Sequence, residues 1–169
     1  MFFSGGDQSR LRTLVGSRTN DILRGRLNAG EGLVIAGTSA GATAMGRTMI
    51  LGGEGPGVSA AAVRTGPGLG LIPKALIDMH FSERGRLPRL LSAVALDPDH
   101  LGVGIGENTG ILVEGSRFEV LGTGVATVAD GQNATVIHGA SGDDHSWTVP
   151  GHDGRARLTV CGTPLFAER

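Results

Sequence analysis

Residues 32–46 read GLVIAGTSAGATAMG. The first half, residues 33–36, is a continuous apolar run with two neighbouring β-branched residues, which is typical of a strand covered on both faces in a parallel sheet. The second half, residues 40–45, consists mainly of small residues that suit a helix. A G-x-S-x-G turn, residues 37–41, joins the two halves. The stretch therefore predicts a strand, a tight turn and a helix, with Ser39 in the turn.

This turn has the form that exposes a nucleophilic serine. Glycines on both sides of Ser39 avoid clashes where a Cβ would meet the neighbouring strand or helix. The N–H of Ala40 then lies at a helix N-terminus, where it can stabilise a developing negative charge as one oxyanion donor. The alternative is an ordinary capping serine in a glycine-rich strand-to-helix turn.

Composition excludes several classes of function. Fifteen Lys and Arg against 16 Asp and Glu leave no bulk charge to attract nucleic acid or an anionic membrane. No apolar run approaches the ~18 residues of a transmembrane helix, and no signal peptide is visible, so we expect a cytoplasmic protein without membrane contact. The lone Cys161 excludes an intramolecular disulfide and offers no metal-ligand spacing. We expect neither a metal nor a cofactor.

The 169 residues fit one domain with two parts. Residues 1–108 have the alternating order of an α/β protein, which predicts a catalytic core around a mostly parallel sheet. Residues 109–169 predict a β-rich extension of short hairpins. The predicted strands are 2–4, 33–36, 75–79, 101–105, 109–113, 117–121, 125–129, 133–138 and 155–161; the predicted helices are 8–15, 19–27 (capped by Thr19 or Asn20) and 82–96; the predicted long loops are 49–73 and 139–154.

Polar residues follow four of the predicted core strands. In open α/β sheets, active groups collect beyond the carboxyl ends of the strands. Ser39, His80 and Glu107 occupy such ends and suit a nucleophile, its base and the carboxylate that orients the base. The glycine turn after the first strand offers Gly6 or Asp7 N–H as a second oxyanion donor. Taken alone, His80 could be structural, and Glu107 could simply begin a turn.

Three arginines, Arg84, Arg86 and Arg89, come directly after the candidate base. Guanidinium groups bind carboxylates through paired N–H donors, so the run indicates an acidic substrate. The alternative is a solvated helix face.

Several separated motifs together resemble the cyanophycinase family, serine exopeptidases related to peptidase E. The motifs are FFSGGDQ, VIAGTSAGA, GLGL, DMHFSERGRLPRLL, GIGENT and FEVLGTG. The resemblance implies a class-I-glutaminase-like (flavodoxin-like) fold with a nucleophile elbow. It also implies Ser39, His80 and Glu107 as a catalytic triad acting through an acyl-enzyme without a cofactor.

The same resemblance implies the substrate and its pocket. The family cleaves cyanophycin, a poly-aspartate chain with arginine on each side chain, into β-Asp-Arg dipeptides. Gln8, Asp78 and the three arginines would form the pocket, and the guanidinium groups of this acidic, arginine-bearing polymer would meet Asp78 or Glu83.

Two departures from the family keep alternatives open. Met79 stands where well-characterised members have glutamine, which favours a related hydrolase of acidic or isoaspartyl peptides as the second hypothesis. The family's strands upstream of the GGDQ turn are expected to be missing. The two alternatives are that another chain supplies this layer or that the sequence is a fragment of a longer protein, and a homodimer is a further expectation. The third hypothesis is a catalytically inactive, truncated paralogue.

Overall fold

The computed structural model describes residues 1–53 and 57–132, and beyond these the backbone of three short strands. The strands are β1 (Phe2–Phe3), β2 (Ala36–Gly37), β3 (Thr48–Gly52), β4 (Arg64–Pro67), β5 (Ala75–Met79), β6 (Leu101–Ile105), β7 (Thr109–Glu114), β8 (Arg117–Gly122), β9 (Ala126–Ala129), β10 (Thr135–Val136), β11 (Trp147–Thr148) and β12 (Leu158–Cys161). The α-helices are α1 (Arg18–Asn28), α2 (Ala40–Thr43) and α3 (Leu87–Leu96), and 3-10 helices cover Gln8–Leu14 and Ala60–Ala62. The fold is mixed α/β, as expected.

Two parallel strand pairs position the candidate site. β1 pairs with β2 in the register Phe3↔Gly37, and β5 pairs with β6 in the register Met79↔Ile105. Because parallel partners end at the same edge, the residues that follow β5 and β6 come together. The residues that follow β1 and β2 do the same.

The four-stranded sheet, in the order β12-β9-β6-β5, is mixed rather than mostly parallel. Only β5 and β6 run parallel; β9 lies antiparallel to both β6 and β12. After β6 the chain makes the β7–β8 hairpin and returns directly, and a return without a crossover helix produces antiparallel pairing. The strand predicted over residues 125–129 therefore extends the main sheet and is not part of a separate hairpin.

The centre of the core is β5, which is buried on both faces. Leu76 is 0% exposed and packs with α3, whereas Ile77 is 2% exposed and packs with residues of β1, α2 and β6. Burying each such side chain stabilises the fold by roughly 1.5–3 kcal/mol. The apolar run of residues 75–77 is thus explained by two-sided burial.

Proline and capping chemistry set the helix boundaries. α3 begins at Leu87 with Pro88 in its first turn, whereas residues 82–85 form a turn and not the predicted helical segment. A regular helix running through Pro88 would lack the hydrogen bond that its missing N–H cannot make. Ser17, not the predicted Thr19 or Asn20, caps α1 by accepting a 3.3 Å hydrogen bond from the N–H of Asn20.

The prediction of a long loop over residues 49–73 was wrong. β3 and β4 lie within and beside it and pair antiparallel, in the register Met49↔Gly66. Glycines obscured the strands, because Gly66 and Gly68 look like turn residues in the sequence but lie in or beside β4. The Gly68 backbone packs closely against the Gly46 carbonyl oxygen, because a Cβ at Gly68 would lie 2.2 Å from that oxygen.

The predicted hairpin of β7 and β8 is confirmed, with Thr109 opposite Gly122. The strands and loop predicted over residues 133–161 lie outside the described residues, apart from the backbone of β10, β11 and β12. The division of the chain at residue 108 stays a prediction.

The apolar run before Ser39 is not covered on both faces. Only its last residue, Ala36, lies in β2. Val34 is 72% exposed, and Phe2 of the partner strand β1 is 65% exposed. The prediction of a fully covered strand was therefore wrong for this structure. In the part of the chain that the structure describes, no helix has the length and apolar character to cross a membrane.

Candidate active site

Ser39 lies in the tight turn between β2 and α2. Its backbone has φ 49° and ψ −117°, a conformation that side chains other than glycine rarely adopt. Such local strain persists only where surrounding contacts impose it. The turn leaves Ser39 partly accessible, while Ala40 beside it is buried.

The two glycines around Ser39 are required by close backbone contacts. A Cβ at Gly37 would lie 2.7 Å from the Gly41 carbonyl carbon and from the Met45 methyl group, and a Cβ at Gly41 would lie 2.2 Å from the Phe3 carbonyl oxygen. The expectation that a Cβ on either side would clash with the neighbouring strand or helix is confirmed. These contacts impose the turn that holds Ser39.

The structure brings Ser39, His80 and Glu107 together. The Ser39 Oγ lies 3.0 Å from His80 Nε2, and the His80 Nδ1 lies 3.2 Å from Glu107 Oε1. His80 follows β5 directly, with φ 51°, and Glu107 follows β6 after one residue. The parallel pairing of these two strands is what brings the imidazole and the carboxylate to one edge.

Solvent reaches these side chains to different degrees. The His80 side chain is 32% exposed and that of Glu107 is 54% exposed. Both side chains therefore have solvent-accessible surface in the described part of the chain. The Glu107 carboxylate is thus not held by burial.

Backbone donors adjoin Ser39 on two sides. Ala40 begins α2, and no described residue accepts a hydrogen bond from its N–H. On the other side, the Gly5 backbone lies against Ser39, close enough that a Cβ at Gly5 would be 3.3 Å from the Ser39 Cβ. The following Gly6 has φ 136°, and its N–H also has no acceptor among the described residues.

Asp7 and the 3-10 helix that it caps come directly after this glycine turn. The Asp7 Oδ1 accepts a 2.8 Å hydrogen bond from the Ser9 N–H. Hydrogen bonds from the Ser9 side chain and backbone, together with the positive charge of Arg10, lower the pKa of the Asp7 carboxyl below its ordinary value.

Of the predicted substrate residues, Asp78 is the most deeply buried. Its side chain is 2% exposed, and both oxygens are bound by Arg89: Nε donates to Oδ2 at 2.9 Å, and Nη2 donates to Oδ1. Arg86 lies 3.6 Å from the same carboxylate and donates to the Met79 carbonyl oxygen. In this structure the Asp78 carboxylate is bound within its own chain, by the two arginines and by the Met79 N–H, which donates to Oδ1 at 3.0 Å.

The other predicted pocket residues differ in how free they are. Arg84 is exposed, and among the described residues no acceptor binds its guanidinium. Arg89 also donates to the Gly53 carbonyl oxygen at 3.3 Å. Gln8 uses its Nε2 to donate to the Ile50 carbonyl oxygen at 2.9 Å, which ties the glycine turn to β3.

One contact of the site was missed at the sequence level. The Glu83 Oε1 accepts a 3.1 Å hydrogen bond from the backbone N–H of Glu107. No local sequence pattern predicts this hydrogen bond, because it joins two turns that lie 24 residues apart in the sequence. Only the parallel pairing of β5 and β6 signals that the turns after these strands meet.

His100, interpreted as non-catalytic, lies at the other end of β6. It is 8% exposed, and its Nδ1 lies 2.7 Å from Asp97, which also accepts from Thr48 at 2.9 Å. A cavity of about 410 Å³ beside this network is lined in part by Arg47 and Asp97. Across the described ranges, no three His, Cys, Asp or Glu side chains are grouped so that they could hold a metal ion.

Comparison with known proteins places the chain in a family. The profile of Peptidase family S51 matches residues 1–121. A cyanophycinase of Trichormus variabilis is 45% identical over 133 residues, which are 77% of this chain and 44% of that protein. A cyanophycinase of Geminocystis herdmanii is 42% identical over 135 residues, 78% of this chain and 49% of the relative.

A third relative, a cyanophycinase of Synechococcus elongatus, is 40% identical over 146 residues, 85% of this chain and 45% of that protein. The chain thus spans less than half of the length of the curated relatives that it matches. The family match covers Ser39, His80 and Glu107, together with every residue expected to line the pocket. The chain belongs to Peptidase family S51.

Proposed function

We propose that this chain is a serine exopeptidase that hydrolyses cyanophycin and releases β-Asp-Arg dipeptides. The observation that carries the proposal is the 3.0 Å contact between Ser39 Oγ and His80 Nε2. It is a distance at which a base can take the proton of an attacking hydroxyl. The cyanophycinase names of the relatives support the choice of substrate.

In the proposed reaction, Ser39 Oγ attacks a carbonyl carbon of the aspartyl backbone while His80 Nε2 accepts the hydroxyl proton. Collapse of the tetrahedral intermediate breaks the C–N bond, and the imidazolium gives that proton to the leaving amine. Water then attacks the ester with the same base and releases Ser39. Glu107 accepts from His80 Nδ1–H, which selects the tautomer and stabilises the imidazolium.

The negative charge of each tetrahedral intermediate needs donors close to Ser39. We assign them to the N–H groups of Ala40 and of Gly6 or Asp7, because the helix start and the glycine turn flank Ser39. One such donor contributes roughly 2.7–4 kcal/mol to transition-state stabilisation in serine peptidases.

The arginines supply the charge that an aspartyl polymer requires. Arg84 is exposed beside His80, and we assign it to a carboxylate of the substrate, which it can bind through two N–H donors. Arg86 and Arg89 are oriented by their ion pairs with the Asp78 carboxylate. Gln8 completes the proposed pocket with its side-chain oxygen, since its Nε2 is held by Ile50.

The test compares the wild type with Ser39→Ala and with Ser116→Ala, a control in the exposed β7–β8 turn. Cyanophycin hydrolysis and labelling by a fluorophosphonate are measured for each. We expect Ser39→Ala to lose labelling and to lower kcat by roughly 10⁶-fold, as for other nucleophilic serines, whereas Ser116→Ala retains both.

Three results would point elsewhere. Equal hydrolysis by wild type and Ser39→Ala would remove Ser39 from the mechanism. Turnover of isoaspartyl or other acidic peptides without turnover of cyanophycin would support the second hypothesis, for which Met79 is the motive. A folded wild type that neither labels nor hydrolyses any of them would support an inactive paralogue.

A further inference from the structure

Two turns carry the base and its carboxylate partner, and one side chain joins them. The turn of residues 81–85 follows His80 directly, with the Arg84 N–H donating to the His80 carbonyl oxygen at 3.2 Å. From this turn, Glu83 Oε1 accepts the backbone N–H of Glu107 at 3.1 Å. The Gly106 backbone lies against the same turn, since a Cβ there would be 3.5 Å from Glu83 Oε1. Glu83 is therefore a bridge between the two turns.

Glu107 has few other restraints on its position. Its side chain is 54% exposed, and within residues 1–53 and 57–132 its carboxylate has a hydrogen bond to one side chain, that of His80. The Thr109 hydroxyl donates to its carbonyl oxygen at 3.0 Å, and the next residue, Asn108, has φ 54°. The placement of the carboxylate is thus determined by the backbone of this turn, whose N–H is held by Glu83.

We propose that Glu83 is a positioning residue: by holding the Glu107 N–H it fixes the Glu107 carboxylate against His80 Nδ1. The proposal rests on the proposed function, in which that carboxylate orients the base. Glu83 acts as a hydrogen-bond acceptor, so its charge is not required. An uncharged acceptor of the same length, the glutamine side-chain oxygen, fills the same place.

A direct role in substrate binding makes different demands. If Glu83 bound a guanidinium group of cyanophycin, its charge would be essential, and its loss would raise KM for the polymer. It would leave the reactivity of Ser39 toward a small uncharged reagent unchanged. The two roles are therefore separated by a probe that lacks a guanidinium group.

The experiment uses the full chain and an uncharged alkyl fluorophosphonate. The labelling rate of Ser39 is measured in Glu83→Ala, in Glu83→Gln and in the control Glu119→Ala, which removes an exposed carboxylate of β8. Hydrogen exchange of the Glu107 amide is followed by NMR in the same proteins. Glu83→Ala is also combined with Glu107→Ala to form a double-mutant cycle.

We expect Glu83→Ala to slow labelling about tenfold, less than the roughly 10²-fold that a 1 Å misplacement of reacting groups can cost. Glu83→Gln and Glu119→Ala should label at the wild-type rate. Exchange of the Glu107 amide should accelerate in Glu83→Ala and return to normal in Glu83→Gln. In a Glu107→Ala background, Glu83→Ala should have no further effect, because the group that it positions is gone.

If Glu83→Ala has the same Ser39 labelling rate and the same Glu107 amide exchange rate as the wild type, the inference is wrong. It is also wrong if Glu83→Gln behaves like Glu83→Ala. An increase in KM for cyanophycin alone, with labelling unchanged, would assign Glu83 to the substrate and also overturn it. A wild type that does not label at all refutes the proposed function. The amide exchange then still decides whether Glu83 holds Glu107.

Discussion

Replacing Gly41 by alanine tests the packing that holds Ser39. The added Cβ would lie 2.2 Å from the Phe3 carbonyl oxygen and 2.7 Å from its carbon, whereas ordinary contacts begin near 3.4 Å. Both obstructing atoms belong to the backbone of β1, so no side-chain rotation relieves the clash. The Phe3 carbonyl oxygen also accepts the Thr38 N–H at 3.0 Å, a bond that any outward shift of β1 lengthens.

The expected cost follows from these two effects. Overpacking in a rigid site costs about 1–3 kcal/mol, and the loss of one backbone hydrogen bond costs about 1 kcal/mol. We therefore expect Gly41→Ala to lower the free energy of unfolding by about 2–4 kcal/mol. The displaced turn should also slow labelling of Ser39 by a fluorophosphonate.

Urea unfolding followed by circular dichroism measures the effect, with Gly25→Ala as the matched control. Gly25 lies within α1, and a Cβ there would meet nothing within 4 Å. Alanine at such a position should stabilise the protein by about 0.4–1 kcal/mol. Replacing glycine by alanine is thus expected to lower the free energy of unfolding at position 41 and to raise it at position 25. A Gly41→Ala protein as stable as the wild type would refute the close packing of β1 against the Ser39 turn.

Two further predictions concern charged groups beside the site. Asp78→Ala leaves Arg89, whose side chain is 11% exposed, without its counterion, so the free energy of unfolding should fall by about 3–5 kcal/mol. The exposed Asp99→Ala should change it little. Urea unfolding measures both, and equal values would show that Asp78 does not hold Arg89. The pKa of the Asp7 carboxyl should lie below its ordinary value because Ser9 and Arg10 favour the charged form. An NMR titration of Asp7 in the wild type and in Ser9→Gly measures this pKa. Since the folded pKa is lowered, the stabilisation by Asp7 is present at neutral pH and is lost as the pH falls through the folded pKa; an unshifted Asp7, or no rise in Ser9→Gly, would contradict the assignment.

Much of the local structure was predictable because it depends on neighbours in the chain. The apolar runs of residues 75–79 and 101–105 predicted β5 and β6 with the bounds that the structure has. The glycines around Ser39 predicted a strand-to-helix turn, whereas the predicted helix of residues 82–96 begins only at Leu87, beside Pro88. These features follow from local steric and hydrogen-bonding limits, which a sequence displays directly.

Features that depend on distant partners were the ones predicted poorly. The sequence predicts a loop where β3 pairs with β4, because glycine is uncommon in strands and common in turns. In this structure the glycines instead permit close backbone contact. The exposure of Val34 was missed because an apolar run shows that a residue suits burial, not that anything covers it.

The sequence by itself determined which residues have the chemistry of the candidate site: a serine between glycines, a histidine and a carboxylate after later strands, and arginines beside them. Tertiary structure alone decided what those residues touch. The parallel register of β5 and β6 brings Glu107 to His80, and the packing of α2 against β5 brings Ser39 to the same histidine. Folding also buries Asp78 against Arg89 and turns Glu83 toward the Glu107 backbone. Contacts between residues that lie 11 to 41 positions apart arise from the packing of separate elements, and no local pattern of amino acids encodes those distances.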